Sequence, residues 1–323
     1  MSVDYSQLLD GARQIEQAAD KLDDLHLRQA APYSPYGTNP TYPSYPYSPS
    51  TPTPAQPTVH DYSGQVQAIF RPYASLPEPS AYDAVLNALD AALAQLNTGD
   101  PDLSKTGPQV PANEQLSKVT SAAGFLLTWE GHGATAFKTE VLDKLPYYCA
   151  SQFQAIVALR RAVEGHKAFV GATRDSVTGI VNATITAFDH ADDCDPDDIA
   201  MALTVLAAVA AVVTAIPTLG ASTVISAAVI GSVASIGAAG QFGEKWEGSI
   251  SGTTSSAILA SMQDKVTLLY NDVTSVEQEM SSKLSSLAGH LAANQARFQP
   301  VRPQIADMSV EQLLSDAGVG RAD

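Results

Sequence analysis

The side chains best suited to nucleophilic or metal chemistry in this chain are six histidines and two cysteines. They are His26, His60, His132, His166, His190, His290, Cys149 and Cys194. None of them falls at the short spacings of zinc ligands or redox cysteine pairs. The sequence also contains no HExxH, GxSxG, GxGxxG or phosphate-loop motif. We therefore predict no catalytic residue, no metal site and no cofactor, which indicates a protein that is not an enzyme.

Two features come closest to a chemical site. Glu130 and His132 lie two residues apart, but no nucleophile or orienting partner accompanies them. The run at 189–198 holds six aspartates in ten residues. It lacks the glycine at the sixth position and the glutamate at the twelfth that a calcium loop needs. Its Asp195-Pro196 pair is instead typical of a helix start, because aspartate caps the first turn and proline suits the first helical position.

The composition indicates which elements must position any site. The chain has 323 residues, of which 45% are apolar and only 7% aromatic, and its formal net charge is -16. Aromatic-poor chains rich in alanine favour closely packed helices over twisted sheets. We therefore predict an all-α fold, an elongated helical bundle with long antiparallel helices. The strong negative charge argues against a nucleic-acid partner, because phosphates would be repelled.

Three regions are predicted along the chain. Residues 1–30 contain an amphipathic helix, 31–60 form a linker rich in proline and tyrosine, and 61–323 form the helical bundle. Prolines recur at every third position from Pro40 to Pro52, which matches the period of polyproline II. We interpret this tract as a stiff spacer; a ligand for an aromatic-lined groove is the alternative.

Two long amphipathic helices are predicted in the bundle. Apolar residues spaced mostly by three, four or seven indicate a helix over 133–188, about 84 Å long and kinked near Pro146. A seam spaced only by threes and fours indicates a second helix over 252–297, about 68 Å long. We expect the two to lie antiparallel and to bury each other's apolar stripe. Asn113 and Ser309 carry the start signals of two shorter helices.

An uncharged segment separates the two long helices. Residues 199–240 contain no charged side chain, and a turn at 217–220 divides them into 199–216 and 221–240. A helix needs about 20 apolar residues to cross a bilayer, so we predict a helical hairpin at one tip of the bundle that could contact or enter a membrane. In the soluble state we expect the hairpin to be buried inside the bundle, which does not exclude later insertion into a membrane. The residues assigned to this hairpin and its border are Ile199, Val212, Pro217, Gly220, Ile225, Gly231 and Trp246.

A helix–turn–helix is predicted around Trp129-Glu130-Gly131, where glycine supplies the backbone freedom of the turn and Phe137 follows in the next helix. This hairpin resembles the Trp-x-Gly hairpin of WXG-type proteins exported by actinobacterial type VII (ESX) secretion systems. The apolar region downstream is also similar to the larger ESX secretion-associated Esp proteins. The resemblance implies that Trp129, Gly131 and Phe137 form a turn and export motif.

The sequence lacks the export signal that is common in that family. Its members commonly carry Tyr-x-x-x-Asp/Glu, and no tyrosine here has an acidic residue four positions later. Either a partner chain supplies the signal or the usual route does not apply. The N-terminal sequence lacks the basic and apolar regions of a cleaved signal peptide. We expect either secretion without such a leader, with membrane association through the hairpin, or a cytoplasmic location.

Two functions from different classes follow from these features. The leading hypothesis is a non-enzymatic secreted helical protein that acts by self-assembly, partner binding or membrane contact. Its partner would be a helical protein or further copies of itself in a homo-oligomer. The alternative is an α-helical pore-forming toxin or toxin component, since an apolar hairpin between two long helices resembles the layout of the cytolysin-A-like group. An intracellular scaffold that uses the proline–tyrosine tract is a third interpretation.

Overall fold

The computed structural model describes residues 5–30, 61–100, 103, 108–125, 132–192, 250–299 and 307–313. Its α-helices in these ranges are α1 (Tyr5–Ala30), α2 (Gln65–Ala74), α3 (Asp83–Leu96), α4 (Glu114–Phe125), α5 (His132–Phe137), α6 (Leu145–Asp192), α7 (Ser255–Ala293) and α8 (Val310–Leu313). Short 3-10 turns at Pro79–Tyr82 and Gln295–Arg297 and a π-helical turn at Lys138–Leu142 accompany them. The described residues contain no strand, so the predicted all-α fold is confirmed.

The elements form two compact units. Unit 1 contains α1, α2, the part of α6 that begins at Thr173 and the part of α7 that ends at Asn271. Unit 2 contains α3, α4, α5, α8, the first part of α6 and the last part of α7. The predicted linker, residues 31–60, lies outside the described residues, so its boundaries stay a prediction.

α1 supplies an apolar face to unit 1. Its buried apolar residues recur at three- and four-residue intervals, as an amphipathic helix requires. They are Leu8, Ala12, Ile15, Ala19 and Leu22. The helix approaches α6 closely at Gly11, where an added Cβ would lie 2.6 Å from Cγ1 of Val181. The Ser255 hydroxyl donates a hydrogen bond to the Ala19 carbonyl at 3.0 Å, which ties the start of α7 to α1.

α2 begins without a capping side chain of its own, because Gly64 occupies the N-cap with φ of 76°. Glu16 of α1 takes that role. Its carboxylate accepts a hydrogen bond from the Gln67 backbone N–H at 3.0 Å and another from the Gln67 side chain at 2.8 Å. Burial works to raise the pKa of Glu16, but the hydrogen bonds from Gln67 and from the backbone of residues 64 and 66 outweigh it, and the pKa is lowered. A carboxylate at this helix end satisfies N–H groups that have no partner within the helix.

Unit 2 has a buried cluster where α3 meets the first part of α6. Its members are Leu93, Leu103, Phe153 and Val157. Leu103 lies in the chain segment between α3 and α4, and it is only 4% exposed. The Asn97 side-chain amide donates a hydrogen bond to the Val110 carbonyl of the same segment at 2.8 Å. Leu103 and Val110 therefore pack on the core of unit 2.

Both predicted helix start signals are confirmed. The Asn113 side chain accepts a hydrogen bond from the Gln115 N–H at 3.0 Å at the start of α4. Ser309 and Gln312 form the predicted capping box. The Gln312 side-chain oxygen accepts from the Ser309 N–H at 2.9 Å, and the Ser309 hydroxyl accepts from the Gln312 N–H at 3.2 Å.

The single helix predicted over 133–188 is wrong at its N-terminal end. α5 passes into the π-helical turn, the chain turns at Asp143 and Lys144, and α6 then starts at Leu145. Proline lacks the N–H that a continuing helix needs, but it is tolerated in the first turn. Pro146 therefore stands in the first turn of a new helix instead of kinking an existing one. The helix predicted over 252–297 is observed as α7.

Candidate partner-binding groove

An open groove of about 600 Å³ lies between α6 and α7 in unit 2. We call it the α6–α7 groove. Its lining residues are Tyr82 from the first 3-10 turn, Leu159, Ala162, Val163 and His166 from α6, and Glu277, Met280, Ser281, Leu284, Ser285 and Ala288 from α7. The walls are mostly apolar, and a few polar groups interrupt them. Apolar walls with a few polar groups are typical of ligand-binding clefts, in which the polar groups fix the orientation of what is bound.

The two helices run in opposite directions along the groove. At the start of α6, the side-chain amide of Gln152 donates a hydrogen bond to the carbonyl of Phe298, just beyond the end of α7. Further along α6, residues 159–166 face residues 277–288 of α7. Rising numbers in α6 therefore meet falling numbers in α7, and the predicted antiparallel order is observed within unit 2.

The apolar stripe of α7 is covered to different degrees in its two parts. In unit 1 every member of the stripe is buried, with an exposed fraction of at most 7%: Ile258, Met262, Val266 and Leu269. In unit 2, Leu284 of the same stripe is 37% exposed, and Leu159 on the other wall of the groove is 41% exposed. The groove thus exposes part of a stripe whose spacing is that of a helix–helix seam.

Polar groups gather at one end of the groove. The ring centroids of Tyr82 and His166 lie 5.3 Å apart, edge to face at 65°. Burial lowers the pKa of His166 below 6.5, against the opposing effect of the Glu277 carboxylate. Burial, and after it the same carboxylate, raises the pKa of Tyr82. Near neutral pH His166 and Tyr82 are therefore uncharged, and the charge on the groove lining is that of Glu277.

Ion pairs join α6 to α3 beside the groove. Arg160 pairs with Asp90 of α3 and with Glu164 one turn further along α6. Lys167 pairs with Asp83 at the start of α3. None of these residues is part of the groove lining. These pairs fix α6 against α3, and their two cations and three carboxylates leave one negative charge beside the groove but outside its lining.

Most of the site residues predicted from the sequence lie outside the described residues. Phe137 is the last residue of α5 and is half-buried. Trp129 and Gly131 fall in 126–131, which the structure does not describe. The same holds for the hairpin residues Ile199, Val212, Pro217, Gly220, Ile225, Gly231 and Trp246. Their assignments stay predictions.

Sequence reasoning did not single out the α6–α7 groove. In the sequence, the groove is marked only by Met280 and Leu284, which belong to the α7 seam. Their spacing predicts that both residues are equally buried. The structure shows that Met280 is 6% exposed whereas Leu284 is 37% exposed. His166 and Glu277 stand on different helices, and no local pattern connects them.

Among the described residues, no cluster of histidine, cysteine or acidic side chains is suited to a metal ion. Within the same ranges, no helix combines the length and apolar character that crossing a membrane requires. Comparison of the chain with protein-family models, curated proteins and solved structures finds no match.

Proposed function

We propose that this chain is a non-enzymatic helical protein that binds an amphipathic helix, of a partner protein or of a second copy, in the α6–α7 groove. The proposal agrees with the partner-binding role implied by the resemblance of the Trp-x-Gly turn to WXG-type and Esp-like secreted proteins. Secretion is part of the same proposal.

The observation that supports it most is the partly uncovered stripe of α7. Amphipathic helices bind by placing apolar residues at i, i+3 or i+4, and i+7 into a groove between helices. Leu159 and Leu284 are already more than half buried, so covering the remainder would contribute only about 1 kcal/mol for each. Both side chains would form the centre of the contact, where apolar anchors have the largest effect.

A labelled peptide tests this proposal. The probe is an idealised amphipathic helix of about fifteen residues with leucines on one face, and the control peptide has the same composition in shuffled order. Fluorescence anisotropy should show binding of the probe to the wild-type protein. Leu284→Asp should weaken that binding by about tenfold or more, because it places a charge against apolar walls.

Leu268→Asp is the matched control variant. Leu268 stands on the same helix and is 45% exposed, but it does not line the groove. It should leave binding of the probe unchanged. Equal binding of the shuffled peptide, or an equal loss of affinity in both variants, would contradict the proposal.

Pore formation is a second candidate, supported by the absence of charged side chains in the sequence of 199–240. Liposomes loaded with a dye should then leak when the protein is added between about pH 7 and pH 5, because a segment without charged side chains can enter the bilayer core without desolvating a charge. Val212→Asp or Ile225→Asp should abolish the leakage. If the wild-type protein releases no dye anywhere in this range, this candidate is excluded.

A further inference from the structure

We infer that the helix bound in the α6–α7 groove carries one basic side chain, which lies over Glu277 at the end formed by Tyr82 and His166. This inference rests on the proposed function and adds the chemistry of the partner. It follows from the length of the groove, from the difference between its polar and apolar ends, and from the lack of an ion pair for its single carboxylate within the described residues.

The groove accommodates about three turns of a helix. Along α7 its lining extends from Glu277 to Ala288, a distance of about 16 Å at the rise of an α-helix. Because α6 runs antiparallel, His166 lies towards the Glu277 end and Leu159 towards the Ala288 end. One end is therefore polar and acidic, whereas the other is mostly apolar apart from the Ser285 hydroxyl, so a bound helix has a preferred direction.

Glu277 makes no ion pair within the described part of the chain. The neighbouring Glu279, by contrast, pairs with Lys283 one turn along α7. His166 cannot supply the missing positive charge near neutral pH, since burial lowers its pKa. An apolar helix laid over Glu277 would remove water from an unpaired carboxylate, which is unfavourable. A lysine or arginine at that point offsets the loss of water and selects this partner over an uncharged one.

Three peptides test the inference. They share the sequence of the amphipathic probe described above and differ only at one position near one end, which is lysine, glutamine or glutamate. With the wild-type protein we expect the lysine peptide to bind about fivefold more tightly than the glutamine peptide, and the glutamate peptide to bind most weakly. Glu277→Gln should remove the preference for lysine, and Glu277→Lys should reverse the order in favour of glutamate.

The net charge of -16 attracts any basic peptide, so a control must separate general attraction from local pairing. Asp264→Asn removes the same charge from an exposed position on the same helix, outside the groove lining. This variant should keep the fivefold preference for lysine that we expect of the wild type, to within about twofold.

The outcomes distinguish this inference from the function on which it rests. If the lysine preference is as large in Glu277→Gln as in the wild type, while Leu284→Asp still weakens binding by about tenfold or more, the inference is overturned. The groove would then bind helices without pairing Glu277 with a basic side chain. If none of the three peptides binds the wild-type protein, the inference and the proposed function fall together. Loss of the preference in Glu277→Gln alone supports both.

Discussion

Replacing Gly11 by alanine tests how closely α1 packs on α6 in unit 1. Inside a helix, alanine is favoured over glycine by about 1 kcal/mol, so helix propensity alone predicts stabilisation. The structure predicts the opposite, because the new Cβ would lie 2.6 Å from Cγ1 of Val181. Val181 is 4% exposed, and its β-branched side chain has little freedom to rotate away.

Overpacking of this kind costs about 1–3 kcal/mol. After the gain in propensity, we expect Gly11→Ala to lower the free energy of unfolding by about 1 kcal/mol. Urea unfolding followed by far-UV circular dichroism measures it. Gly289→Ala is the control, since no heavy atom lies within 4 Å of its added Cβ, and it should stabilise by up to about 1 kcal/mol. In a Val181→Ala background, Gly11→Ala should also become stabilising. If Gly11→Ala stabilises the wild type as much as Gly289→Ala does, the close approach of α1 to α6 is wrong.

Two further substitutions test buried polar groups of unit 1. Tyr73→Phe should raise the free energy of unfolding by about 1 kcal/mol, because the buried Tyr73 hydroxyl has no hydrogen-bond partner among the described residues. Burial raises the pKa of Tyr73 to about 12, and the nearby Tyr270 adds a smaller effect in the same direction. The difference between absorbance titrations of the native protein and of Tyr73→Phe measures this pKa. Glu16→Gln should lower the free energy of unfolding by about 1 kcal/mol near neutral pH. The pKa of Glu16 is lowered from 4.5 in the folded state. The ionised carboxylate therefore contributes fully to the free energy of unfolding above pH 4.5, and this contribution is lost as the pH falls through the lowered pKa. Urea unfolding of the wild type and of Glu16→Gln, from neutral pH into acid, should show that their difference in free energy of unfolding vanishes in acid. A difference that stays constant with pH would contradict the role of the carboxylate.

Local patterns in the sequence predicted the elements that depend on local interactions. The capping box of Ser309 and Gln312 involves residues three apart, so both partners are visible in one short stretch. The spacing of apolar residues likewise predicted α1, whose buried face includes Ile15 and Leu22. At Pro146 the pattern was insufficient, because proline fits the first turn of a new helix as well as a kink within an old one.

Features that join distant residues could not be predicted in this way. Glu16 caps α2 through Gln67, and its partner is set by the packing of two helices. The α7 seam has one spacing throughout, yet Ile258 is fully buried and Leu284 is partly exposed. Periodicity shows which face of a helix is apolar, but only the arrangement of the neighbouring helices determines how far that face is covered. The groove depends on this arrangement.

Methyl NMR tests the central claim most directly, which is that the α6–α7 groove accepts a helix. The protein, labelled at its leucine and methionine methyl groups, would be titrated with the lysine-bearing peptide. Helix binding predicts that the signals of Leu159, Met280 and Leu284, which line the groove, shift together, while the signal of Leu268 stays in place. Unchanged groove signals at saturating peptide, or equal shifts at Leu268, would contradict it.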